Sequence, residues 1–222
     1  MERLYLIDAV FLFDIWSLCL NNDRAVVLYA ISKFMKSAIQ SSVFNQVRIW
    51  KGNHSLEAFT LEQSDSGFIG GGIVTVEDST IRYQVVMDTS WHVLELSIRD
   101  VDRPRLKLYL TRTDGDLWYN AEGVLLPELS GCQEVDISIT PFTNTLAIKK
   151  LTGHQQKRFK VAYICIPDFT YAAVEQVYQA LGSGRYRYEN LDTRFSAELI
   201  ADEFGLVSEY PGLFMTLSKD QE

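Results

Sequence analysis

The chain has 222 residues, 47% of them hydrophobic and 12% aromatic, with a formal net charge of −8 and a pI of about 5.0. That length suits one large domain, or one domain with an extension, and permits a substantial core. The acidic balance lacks the basic footprint that nucleic-acid binding needs, and it suits an anionic membrane surface poorly. Cys19, Cys132 and Cys165 are an odd number at wide spacing without a C-x-x-C pair. They predict a reducing, cytoplasmic setting rather than a disulfide framework.

Residues 1–42 differ from the rest. Two apolar stretches flank Asn21-Asn22-Asp23-Arg24, and the second has helical spacing at Val27, Ile31, Phe34 and Ala38. Asp8 and Asp14 interrupt the first stretch, which argues against a secretory signal. The longest apolar run, residues 25–31, is far short of the roughly 20 residues that a spanning helix needs. The expectation is a soluble chain with an atypical, helical N-terminal extension over residues 1–42 and a β domain over residues 43–222. A translation start near Phe44 and a membrane-associated hairpin are the alternative readings of the extension.

From Val47 the period becomes two. Ile81, Tyr83, Val85 and Met87 share one strand face. His92, Leu94, Leu96 and Ile98 oppose Glu95, Ser97 and Arg99, which makes His92 a core histidine. Leu106, Leu108 and Leu110 oppose Lys107 and Tyr109, and Phe159, Val161, Tyr163 and Cys165 alternate with Lys160, Ala162 and Ile164. This is the pattern of half-buried antiparallel strands. Asp114-Gly115 marks a hairpin, and further breaks fall at Gly52-Asn53, Asp65-Ser66-Gly67 and Gly182-Ser183-Gly184. Gly70-Gly71-Gly72, without a following Lys-Ser/Thr, reads as a bulge or a sharp sheet bend. Residues 171–181 have helical spacing, and residues 141–151 fit a helical turn or an irregular crossing segment. Strands this closely spaced suggest a barrel, a half-barrel or a large sandwich.

The histidines are dispersed, with neither H-x-x-x-H nor C-x-x-C, so no metal site and no cofactor is expected. No G-x-S-x-G elbow is present. Alternation puts Cys132, Glu134, Asp136 and Ser138 on one face, where two acids repel unless solvated or paired, and Lys149-Lys150 could pair with them. Such proximity also suits acid–base work, because like charge raises one pKa. Asp88 and Asp202 read as turn caps. Pro141-Phe142-Thr143-Asn144-Thr145 is the densest polar motif. Its side chains can bond local backbone, or can offer uncharged donors and acceptors to a sugar or head group.

The stretch from Gly131 through Glu134-Val135-Asp136 to Thr140-Pro141-Phe142-Thr143-Asn144-Thr145-Leu146, then Ile148-Lys149-Lys150-Leu151, resembles the bacterial putative glycolipid-binding family. Trp50 with Glu57, Tyr83 to Asp88 with Trp91, Gln176-x-Tyr178, Tyr188, the Phe195-Ser196-Ala197-Glu198-Leu199 block and the closing Tyr210-Pro211-Gly212-Leu213 resemble its other segments, over about residues 47–217. Ala147 stands where that family usually has proline, and Lys149-Lys150 where it has arginines, which lysine replaces without the planar fork.

The resemblance implies a strongly curved antiparallel sheet, a half-barrel or β-roll similar to lipoprotein carriers, on which residues 171–181 would be a strand. It implies non-enzymatic binding of an amphipathic small molecule, a glycolipid, in a concave cavity. The ligand-binding residues it implies are those named in the motifs: Trp50, Glu57, Tyr83, Asp88, Trp91, Glu134, Asp136, Thr143, Asn144, Thr145, Lys149, Lys150, Gln176, Tyr178 and Tyr188. Two alternatives stand beside it: a small hydrolase or isomerase using Asp88, Asp136 or Asp202 in one cleft, and a fully packed β domain for protein contacts. No nucleic acid and no integral membrane segment is expected, and the sequence names no protein partner.

Overall fold

The computed structural model describes residues 45–105, 107–153 and 155–217. The expected helical extension over residues 1–42 lies outside the described residues, as do Leu106 and His154.

The alternating pattern folds as fourteen strands in one sheet. The first seven form a meander: β1 Asn45–Gly52, β2 Ser55–Ser64, β3 Gly67–Val76, β4 Ser79–Met87, β5 Val93–Asp100, β6 Lys107–Thr113 and β7 Leu117–Asn120. The second seven are β8 Glu134–Ile137, β9 Gln156–Cys165, β10 Thr170–Gly182, β11 Arg185–Asn190, β12 Phe195–Ala201, β13 Val207–Tyr210 and β14 Phe214–Thr216. The spatial order runs from β7 down to β1, then from β14 down to β8. The two halves join where β1 pairs β14, with Trp50 opposite Thr216. Every pairing is antiparallel except β8 with β9, so the sheet is mixed, and it is open at β7 and β8. The segment between those two edges covers β7, where Leu126 donates its amide to Trp118 (2.8 Å), and enters β8 through Gln133, which donates to Lys160 on β9 (2.7 Å).

A single α-helix among the described residues, α1 Phe142–Ile148, settles the reading of residues 141–151 as helical. Two threonines, an asparagine and a phenylalanine are weak helix formers, and seven residues are too few to hold a helix alone. Packing holds it, for all seven residues are buried. The Thr140 hydroxyl accepts the Phe142 amide (3.1 Å) at its start. On one side Phe142 packs on Phe59, with ring centroids 4.5 Å apart, in a core with Trp50, Leu96 and Trp118. On the other, Ala147 and Ile148 join a second core with Phe159, Tyr178 and Leu199. One helix touching both halves of one sheet requires the strong curvature that the resemblance implies.

Three expectations change. Of the two readings of the glycine triplet, a bulge or a sharp sheet bend, the bulge falls, because β3 pairs β2 and β4 without a register break. The triplet makes room: a Cβ on Gly70 would lie 2.3 Å from the Phe142 ring, and one on Gly72 would lie 2.7 Å from the Glu57 carboxyl. His92 is exposed rather than in the core. The β4–β5 register shifts between Val86 and Met87, with Val86 opposite Glu95 and Met87 opposite Val93. That extra residue turns Val93 inward and leaves Leu94 40% exposed. Residues 171–181 are strand, as the resemblance implies and against their spacing. Residues 176–178 are buried in succession because β10 is covered on both faces, and such a strand imitates helical periodicity. Among the described residues no helix is long and apolar enough to cross a membrane.

Candidate functional site

Strand alternation aims both acids of β8 at α1 and its flank. Lys150, just past the helix, bonds Glu134, which is 2% exposed. Asp136 accepts the Thr143 hydroxyl on one oxygen (3.0 Å) and the Gln176 amide on the other (2.7 Å). The Thr143 hydroxyl accepts the Ile137 amide in turn (3.2 Å), which ties strand to helix. At the next residue, the Asn144 amide donates to the Tyr178 hydroxyl (2.8 Å), which reaches Gln176 at 3.4 Å. Asp136, Thr143, Gln176, Tyr178 and Asn144 are therefore one polar cluster built from β8, α1 and β10. Burial pushes the Asp136 carboxyl above its usual range, and the bonds from Gln176 and Thr143 oppose that shift.

This cluster opens on a cavity of about 300 Å³. Asp136, Ser138, Thr140, Asn144, Asn190 and Thr193 bring polar groups to its lining, and Tyr163, Tyr188, Phe195, Tyr210 and Phe214 bring rings. The rings of Tyr188, Phe195 and Tyr210 lie 6.1, 6.2 and 6.4 Å apart, and Phe214 stands 6.2 Å beyond Tyr210. Burial holds the phenols of Tyr188 and Tyr210 protonated far above neutrality, and the Asp136 charge adds to both shifts. Both phenols are thus donors at neutral pH. Among the described residues no lysine, arginine or histidine lines the cavity, and Asp136 is the one carboxyl. A second hollow of about 290 Å³ shares Tyr210, Leu213 and Phe214 and continues along Lys51, Asn53 and Met215.

The other expected residues lie elsewhere. Glu57 is sealed on the opposite side of α1, where it accepts from Tyr83 (2.5 Å) and Thr140 (3.0 Å). Burial raises its pKa to about 8 against those two bonds, and its second oxygen has no partner among the described residues. Trp50 is core, with its indole N–H bonded to the Val207 carbonyl (2.7 Å). Thr145 is wholly buried. Lys149 stands over the ring of Trp91 (5.0 Å), which stacks on Phe68 at the surface. Asp88 caps the β4–β5 turn by accepting the amides of Ser90 and His92, each at 2.8 Å. Asp202 caps the β12–β13 turn and pairs with Arg48 (2.6 Å). Asp88, Asp136 and Asp202 thus keep separate partners and do not meet in one cleft.

Of the fifteen candidates, Asp136, Asn144 and Tyr188 line the cavity, with Thr143, Gln176 and Tyr178 holding them from behind. Sequence reasoning missed Ser138, Phe195, Tyr210 and Phe214 as lining residues. Ser138 shares the Asp136 face, and Phe195 and Tyr210 head motifs that the resemblance had already marked. Their signal was present without a geometry to join it. No cluster of His, Cys, Asp or Glu among the described residues could hold a metal ion.

Residues 48–216 match the model of a family described as "putative glycolipid-binding". Among solved structures, a crystal structure of a DUF1089-family protein from Pseudomonas aeruginosa is similar, with 29% sequence identity and a TM-score of 0.58. The likeness covers 80% of this chain and 93% of that one. No curated protein matches the chain.

Proposed function

Because this chain belongs to the putative glycolipid-binding family, we propose that it binds an amphipathic small molecule, without catalysis, in the cavity between β8, α1 and the aromatic strands. The observation that carries this reading is the cavity's mixed lining, in which Asp136, Ser138, Asn144, Asn190 and Thr193 offer polar groups and Tyr163, Tyr188, Phe195, Tyr210 and Phe214 offer rings. A glycolipid head suits both: hydroxyls can bond Asp136, Asn144 and the two phenols, while the C–H face of a sugar packs on Tyr188 and Tyr210. A volume of about 300 Å³ is at the small end for ligand sites. It takes a head group with the start of a chain, and the chain would continue along the hollow past Leu213 and Met215. Each methylene buried there contributes roughly 0.8 kcal/mol.

A single carboxyl among the described lining residues supports binding over hydrolysis, because glycoside chemistry ordinarily needs two acids flanking the bond. Calorimetric titration with octyl glucoside, glucose and octanol, each below any micelle-forming concentration, tests the reading. One octyl glucoside per chain, bound more than about tenfold tighter than either fragment, is the expected result. No binding of octyl glucoside would remove the proposal.

A further inference from the structure

We propose that the polar end of the ligand carries an ammonium group, held between the Asp136 carboxylate and the rings of Tyr188, Phe195 and Tyr210. This rests on the binding reading above and narrows its ligand class. The first ground is charge. Both oxygens of Asp136 are engaged by neutral donors, Thr143 and Gln176, and the carboxylate has no cationic partner among the described residues. Carboxylates withdrawn from water are ordinarily paired with a cation. Glu134, the other acid on this face of β8, has its cation in Lys150. Asp136 faces open space instead.

The second ground is the aromatic lining. Three rings in mutual contact present π faces and edges to one small volume, and such faces attract an ammonium, a quaternary one included. The third is exclusion. With no lysine, arginine or histidine among the described lining residues, a phosphate, sulfate or carboxylate head would meet Asp136 without compensation. An amino sugar and a quaternary ammonium head supply the same chemistry.

The test uses four amphiphiles with one octyl tail, titrated into the full chain below their micelle-forming concentrations: octyl glucoside, octyl glucosaminide, octyltrimethylammonium and octyl sulfate. At least one ammonium compound is expected to bind about tenfold tighter than octyl glucoside, with the sulfate weakest. Whichever ammonium binds tighter identifies the source, amino sugar or quaternary head. In Asp136→Asn that preference is expected to collapse to within about twofold. The chain carries 29 acidic residues, so attraction to its overall charge would survive loss of one. A preference that persists in Asp136→Asn therefore overturns the proposal. So does a glucoside or sulfate that binds as tightly as both ammonium compounds, a result that leaves the binding reading standing. Failure of all four to bind removes both. Should Asp136→Asn not fold, Tyr210→Leu keeps the apolar bulk and loses one π face, and the preference for the quaternary head should fall at least threefold.

Discussion

Two acids approach α1 from opposite halves of the sheet, and their surroundings differ. Glu57 on β2 meets Tyr83 and Thr140, and the ring of Phe142 closes over bare glycine backbone beside them. Asp136 on β8 meets Thr143 and Gln176, with Tyr178 and Asn144 next in line, and then opens on the cavity. The residue types are alike: acid, threonine, tyrosine. What separates a structural network from a candidate site is the size of the side chains beyond the acid. Glycines let the first half shut, whereas Tyr188, Phe195 and Tyr210 hold the second half apart.

The largest expected effect comes from removing what seals the first cluster. Phe142→Ala should cost about 3–5 kcal/mol in urea denaturation. A loss under about 1 kcal/mol would mean that the packing of α1 on the first core contributes little to the fold. The two tyrosines come next. Tyr83→Phe takes a donor from a sealed carboxyl and should cost about 2–3 kcal/mol, whereas Tyr178→Phe should cost nearer 1 kcal/mol because water in the cavity can serve Asn144. The reverse order would break the contrast between sealed and open.

The pH dependence sharpens it further. The folded pKa of Glu57 is raised from 4.5 to about 8, so its stabilising contribution is fully present below about 4.5 and is lost as pH rises through about 8. Within that window the slope from this group is at most about 1.4 kcal/mol per pH unit. Glu57→Gln should flatten the profile of denaturation midpoint against pH, and an unchanged profile would contradict the sealed reading. The smallest effect on stability belongs to the rim. Phe195 is 41% exposed, and Phe195→Ala should shift stability by only about 0.5 kcal/mol while weakening octyl glucoside at least threefold by calorimetry.

Strand faces were legible where one side meets the core and the other meets water, as in β4, where Ile81, Tyr83, Val85 and Met87 are all buried. They became illegible where that rule fails. A single extra residue in β5 moved His92 out and Val93 in, and no local signal marks such a bulge. β10 is covered on both sides, so its periodicity pointed to a helix until the resemblance and the pairing said otherwise. The polar residues of α1 were visible as a motif. Their roles could not be read, because only the fold shows that Thr140 bonds Glu57 while also lining the cavity, and that Thr143 bonds Asp136.

The central claim is that an amphiphile enters the space bounded by Asp136, Asn144, Tyr188 and Tyr210. Nuclear magnetic resonance titration of the full chain with octyl glucoside tests it most directly. Saturable shifts at Asp136, Asn144, Tyr188, Phe195 and Tyr210, with Glu57 and Tyr83 unmoved, are the predicted result. Shifts confined to other surfaces, or none at saturating ligand, would contradict it.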